Sequence, residues 1–226
     1  MVVDTGNGPV KKAPARKKKA GLVDLVRLKD YVVTVRVKGI KPVIPHKWSE
    51  KAKAMMPGHP EGDTVKTKKG LRQPEEEAEA CLYRLPDNRV GMPAAAFKAA
   101  IVGACRFFDA PSMAECKLLV FVEGEGPDEL VAIDGELELH EDTPRNASGT
   151  ADLRYRYYVK GWSATLRVRF VATSVTPSSI VTLIDAGGRG GVGDWRPSAP
   201  KSYTGTFGTW RVDDTYPVDI QEVTGG

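Results

Sequence analysis

Cysteine and histidine are scarce in this chain of 226 residues: three cysteines (Cys81, Cys105, Cys116) and three histidines (His46, His59, His140). None falls at metal-ligand spacing and no His-x-x-x-His pair occurs, so a structural zinc site lacks its ligands. An odd number of unclustered cysteines fits free, mostly buried thiols in a reducing compartment. No apolar run reaches the length needed to cross a bilayer, and the first residues carry no apolar signal core. The expectation is a soluble cytoplasmic protein with no membrane partner. The Gly-x-Gly-x-x-Gly fingerprint after an early strand is missing, as is a Gly-Lys-Ser/Thr loop. No Ser/His/Asp or Cys/His arrangement has recognisable local context. His46, which follows Pro45 in a turn, is the one candidate acid or base. The reading is of a protein that is not an enzyme and needs no cofactor.

Charge and glycine are present in quantity. Lysine and arginine total 33 against 29 acids, a formal net charge of +4, and 41% of residues are apolar. That balance suits one domain with a real core and a mild preference for a polyanion. Residues 1–20 hold Lys11, Lys12, Arg16, Lys17, Lys18 and Lys19 among alanine and proline. There is almost nothing there to bury, so a disordered tail is expected, either a basic arm or a solubilising segment. Residues 21–226 are expected to form a single domain.

Within that domain, residues 31–38 (YVVTVRVK) alternate Val33, Val35 and Val37 with Thr34, Arg36 and Lys38, the period of a half-buried strand. Residues 93–108 predict a helix, with proline at its start and Phe97, Ala100, Ile101, Ala104 and Phe108 on one stripe. Residues 117–122 and 130–139 predict strands, as do 152–160 and 162–171, the last with Arg167 and Arg169 facing away from Leu166, Val168 and Phe170. Residues 176–186 predict a second helix, capped by Thr176 and ended by Gly187, before a last strand at 205–212. The class is α+β and the order is the ferredoxin-like (RRM-like) β-α-β-β-α-β plan. Arg36, Lys38, Arg167 and Arg169 then share one sheet face. They form either an anion-binding surface or ion pairs with Glu136 and Glu138.

Residues 39–91 form a long insertion between the first strand and the first helix. Lys47, Trp48 and Lys51 lie on its first part, and Lys66, Lys68, Lys69 and Arg72 cluster at the end of a Gly- and Pro-rich stretch. With a second basic loop that includes Arg154 and Arg156, this reads as a clamp for nucleic acid or as a solubilising surface. Residues 180–212 are the most informative segment. Gly187, Gly188, Gly190, Gly191 and Gly193 follow an apolar run, with Arg189, Trp195 and Arg196 among or just after them. Such a turn tracks a phosphate chain or is a flexible connection. Trp48, Tyr155 and Trp195 are candidates to stack on bases.

The motif AGGRGGVGDWRP followed by YTGTFGTWRV resembles the C-terminal glycine-rich loop of the RAMP superfamily, which includes the crRNA-binding backbone subunits of CRISPR surveillance complexes. VTVRVKGIKPVIPHKWSEKA is similar to the first strand and turn of those subunits. PEEEAEACLYRLPDNRVGMPAAAFKAAIVGACRF, with GVGDWRP, resembles a family of tailed-phage proteins of early, replication-region type. Together the resemblance covers most of residues 31–213. It implies an RRM-like nucleic-acid-binding core that lines up side by side along a strand as a homo-oligomer or filament. It also implies that Gly188, Arg189, Gly190, Gly191 and Arg196 lie near the bound backbone. The basic insertion is short for a full thumb. The expectation is therefore single-stranded DNA, favoured over RNA, during phage replication or recombination in the host cytoplasm. Self-assembly without nucleic acid and a RAMP-like ribonuclease are the alternatives.

Overall fold

The computed structural model describes residues 25–48, 72–143, 153–200 and 203–223. The basic tail and Lys51, Lys66, Lys68 and Lys69 lie outside the described residues.

The elements in chain order are β1 (Asp30–Gly39), α1 (Pro74–Glu79), β2 (Tyr83–Arg84), β3 (Val90–Pro93), α2 (Ala94–Ala104), α3 (Met113–Leu119), β4 (Val120–Glu123), β5 (Leu130–Ala132), β6 (Asp134–Asp142), β7 (Arg154–Val171), α4 (Pro177–Gly187), β8 (Trp210–Val212) and β9 (Asp219–Glu222). The fold is mixed α+β with antiparallel pairing. The main sheet runs β4-β7-β1-β8, with β6 added to β7 and β9 to β1, and β2-β3-β5 form a smaller sheet.

Alternation on β1 sends Val33, Val35 and Val37 into the core, where they meet Ala164, Leu166, Val168 and Phe170 of β7. Helices α2 and α4 cover that face with Phe97 and Ile101 from one and Ile180, Leu183 and Ile184 from the other. A Cβ on Gly187 would lie 3.2 Å from the Ile101 backbone, so the small residue lets the helices approach closely. Trp210 of β8 closes the layer: its indole N–H donates to Ile184 O at 3.1 Å and its ring meets Phe97 edge-on at 5.5 Å.

Several expectations are corrected. Residues 113–119 are helical, because Ser112 Oγ accepts from the Glu115 amide while the Glu115 carboxylate accepts from the Ser112 amide at 2.8 Å. The strand expected at 117–122 therefore shrinks to β4. The helix expected over 93–108 ends at Ala104 and passes into a 3-10 turn, Cys105–Phe107, which leaves Phe107 and Phe108 exposed. Residues 130–139 divide between β5 and β6, which belong to different sheets. The two strands expected at 152–160 and 162–171 are one strand, β7. It passes through Gly161 at φ +55°, a conformation open to glycine, and so keeps its direction. Gly187 ends α4 without a left-handed cap, since Gly188 is right-handed at φ −57°. The strand expected at 205–212 shrinks to β8, and β2, β3 and β9 had no sequence signal.

Candidate nucleic-acid interface

The expected cations fall into three groups. The first stands on the sheet face opposite the helices. There Thr34 pairs with Arg167, Arg36 with Thr165 and Lys38 with Ser163 across β1 and β7. Each cation has an acid nearby. Arg36 lies 3.5 Å from Asp134 and donates to Ser163 Oγ at 2.7 Å, with Tyr216 beneath its guanidinium. Lys38 lies 3.2 Å from Asp213, whose carboxyl is held below its ordinary value first by the Thr215 hydroxyl and then by the Thr215 amide and Lys38, against the raising effect of burial. Arg167 and Arg169 share Glu123 at 3.3 and 3.8 Å. Ion pairing is thus the outcome, but through Asp134, Asp213 and Glu123. Glu138 instead pairs with Lys160.

The second group fastens the glycine-rich loop. Arg156 is 1% exposed and its Nη1 donates to Asp194 Oδ2 at 2.6 Å. His46 Nδ1 donates to the same oxygen at 2.7 Å, since a carboxylate only accepts. Burial works to raise the Asp194 carboxyl, but the hydrogen bond from His46 and the charges of His46, Arg156 and Arg154 outweigh it and hold the group below its ordinary value. The Asp194 amide donates to Ile44 O at 2.9 Å. Gly193, at φ +77°, sits where a Cβ would come within 2.5 Å of that same Ile44 O. The loop also closes on itself, Val192 N to Gly208 O at 3.1 Å and Ser198 N to Gly190 O at 3.1 Å. It is therefore a fastened turn, which corrects the reading as a flexible connection. Arg156 is a buried anchor and is corrected as a contact residue.

Arg72 holds Glu77 through two hydrogen bonds, at 3.1 and 2.9 Å, and lies over the Tyr155 ring. Arg154 pairs in register with Asp142 at the start of β7. Lys47 is half-buried and its amide donates to Cys81 O at 2.8 Å. Trp48 stacks parallel on His46 and Trp195 meets Phe207 edge-on. Burial pushes the Cys81 thiol up. Cys116 is pushed up to about 12, first by burial and then by its hydrogen bond with Cys105. All three cysteines are free. Among the described residues, no three His, Cys, Asp or Glu side chains gather as a metal site, and no helix is long and apolar enough to cross a membrane.

The third group differs. Arg189 and Arg196 line a cleft of about 390 Å³ between α2 and the glycine-rich loop, together with Gly190, Gly191 and Arg106. Gly188, just before them, is packed against the Trp210 backbone and lies outside the lining. Among the described residues, no Asp or Glu lines the cleft. Arg196 Nη1 donates to Gly193 O at 2.8 Å and Arg106 Nε to Gly103 O at 2.9 Å. Among the described residues none of the three arginines has an acidic partner within 4 Å. Sequence reasoning missed Arg106, which follows the apolar stripe of α2 at the point where the helix tightens. It also missed Asp194 as an anchor. The cleft lies on the helix side of the sheet, away from Arg36, Lys38, Arg167 and Arg169, so the expected cations divide between two separate surfaces.

No family model matches the chain and no curated protein matches it, so the phage-family resemblance gains no support. Among solved structures the chain is similar to one from a cryo-EM structure of the Type III-B Cmr-beta bound to cognate target RNA. The identity is 10% and the TM-score 0.44 over 86% of this chain, which spans 61% of that neighbour's length.

Proposed function

We propose that this protein binds single-stranded nucleic acid through phosphate contacts at the cleft between α2 and the glycine-rich loop. One observation carries this reading: Arg106, Arg189 and Arg196 open on one cleft that no carboxylate lines among the described residues, whereas Arg36, Lys38, Arg167 and Arg169 on the sheet face have acids beside them. Three guanidiniums in one concave site repel one another unless an anion joins them, and a phosphate chain supplies anions at regular spacing. We further infer a ferredoxin-like core. The strand path β8-β1-β7-β4, with α2 and α4 on one face, supports it. The strand bound is single-stranded DNA ahead of RNA, coated during phage replication or recombination, as the sequence resemblance implies.

The protein acts by binding and not by catalysis in this reading. His46 has its Nδ1 committed to Asp194 and its ring stacked on Trp48, an arrangement that serves the loop.

Fluorescence anisotropy with labelled oligo(dT), oligo(rU) and duplex DNA tests the proposal. Three phosphate contacts to a single strand predict a log–log salt slope of about −2, or about a 15-fold loss between roughly 50 and 200 mM salt. Absent binding, or binding indifferent to salt, overturns it. Tighter binding of oligo(rU) overturns only the preference for DNA.

A second reading is self-association side by side, favoured by β9. All four of its residues are exposed and, among the described residues, it pairs with β1 alone, which leaves its other edge open there. Light scattering with and without oligonucleotide separates the two, because assembly indifferent to oligonucleotide belongs to this reading.

A further inference from the structure

We propose that the cleft takes one whole nucleotide, its phosphate among Arg106, Arg189 and Arg196 and its base against Phe107 and Met113, and so selects an unpaired nucleotide over one held in a duplex. This rests on the nucleic-acid reading above and adds to it the base and the residues that meet it.

The cleft is only partly cationic. Phe107 and Met113 are part of its lining and are 58% and 38% exposed, large apolar side chains left in water beside charged groups. Neither belongs to the core cluster, and Phe107 lies on the 3-10 turn after α2. A site for phosphate alone has no use for this apolar wall. An aromatic face beside guanidiniums is the pairing that holds single-stranded nucleic acid, because every base has a flat apolar surface and every phosphate a charge. At about 390 Å³ the cleft falls within the roughly 300–1,000 Å³ of small-ligand sites.

Small residues keep that space open. Ala96, Ala99, Ala100 and Gly103 of α2 line it, and a Cβ built on Gly103 meets no atom within 4 Å. A larger side chain at Gly103 therefore fills the cleft without touching the core. In a duplex the base is stacked and paired, and reaches Phe107 only after it is pulled out. Trp48, Tyr155 and Trp195 are already engaged by His46, Arg72 and Phe207. Phe107, the aromatic in the cleft lining, is then the specificity-determining one.

The test compares oligo(dT) with an abasic sugar-phosphate oligonucleotide of equal length, by anisotropy on the full chain. The parent is expected to favour oligo(dT) roughly tenfold. Phe107→Ala should lower oligo(dT) affinity by about the same factor and leave the abasic strand unchanged. Arg106→Ala should weaken both strands alike. Gly103→Leu should abolish the preference without lowering the thermal midpoint, a control for folding. Equal parental affinity for the two strands overturns the inference and leaves the binding function standing, as does a Phe107→Ala effect common to both. Binding of neither strand removes the function and the inference together.

Discussion

Arg156, buried in β7, donates to Asp194 at 2.6 Å and so ties the glycine-rich loop to the longest strand of the sheet. The guanidinium carries more hydrogen than its partner accepts: Nη2 is buried and has no hydrogen-bond partner. Asp194 is thus the counter-charge for a group that has no access to water.

Asp194→Asn leaves that guanidinium uncompensated. The expected loss is about 3 kcal/mol in urea unfolding, at the low end for a broken buried pair because Asp194 itself is partly exposed. Arg156→Met should cost less, since the carboxylate left behind keeps His46 and water. A larger loss for Arg156→Met than for Asp194→Asn would contradict this assignment.

The same carboxylate gives stability a pH dependence of known sign. Its folded pKa is depressed, so its contribution is complete above the ordinary aspartate value of about 4 and is lost as pH falls through the lower folded value. The urea midpoint should decline more steeply in acid for the parent than for Asp194→Asn. Parallel curves would refute it.

Sheet-face and cleft cations should separate in binding. Arg189→Ala and Arg106→Ala should each make the salt slope shallower by about 0.7 and weaken binding at low salt. Arg167→Ala, whose charge is shared with Glu123, should stay within about twofold of the parent. The reverse ranking would move the interface to the sheet face.

Two glycines should respond in opposite directions. Gly193→Ala forces a Cβ against Ile44 O at positive φ and should destabilise by about 2 kcal/mol. Gly103→Ala lies within α2 with open space before it and should stabilise by up to about 1 kcal/mol. Thermal midpoints of the two variants check the pair.

Local patterns were readable and distant ones were not. The valine alternation of β1 and the Phe97–Ile101 stripe of α2 announced their buried faces, because burial repeats with the period of the element. The capping box at Ser112 and Glu115 was also local, but the apolar run after it obscured it. Charge partners had no such signal: Lys38 and Asp213 are 175 positions apart, and Arg167 and Glu123 are 44 apart. Only the sheet register joins them. Arg189 and Arg196 stood out for their glycine setting, whereas Arg106 joins them only because α2 and the loop meet in space. Asp194 was visible within GVGDWRP, but its role depends on Arg156, which reads as one more surface cation until its burial is known.

The unbroken course of β7 has a mechanical consequence. One end grips Asp194 and the loop, and the other pairs with both β1 and β4. A slip of one residue anywhere along such a strand would turn its whole apolar row outward. The glycine-rich loop is therefore anchored to a strand whose register its neighbours on both sides hold in place.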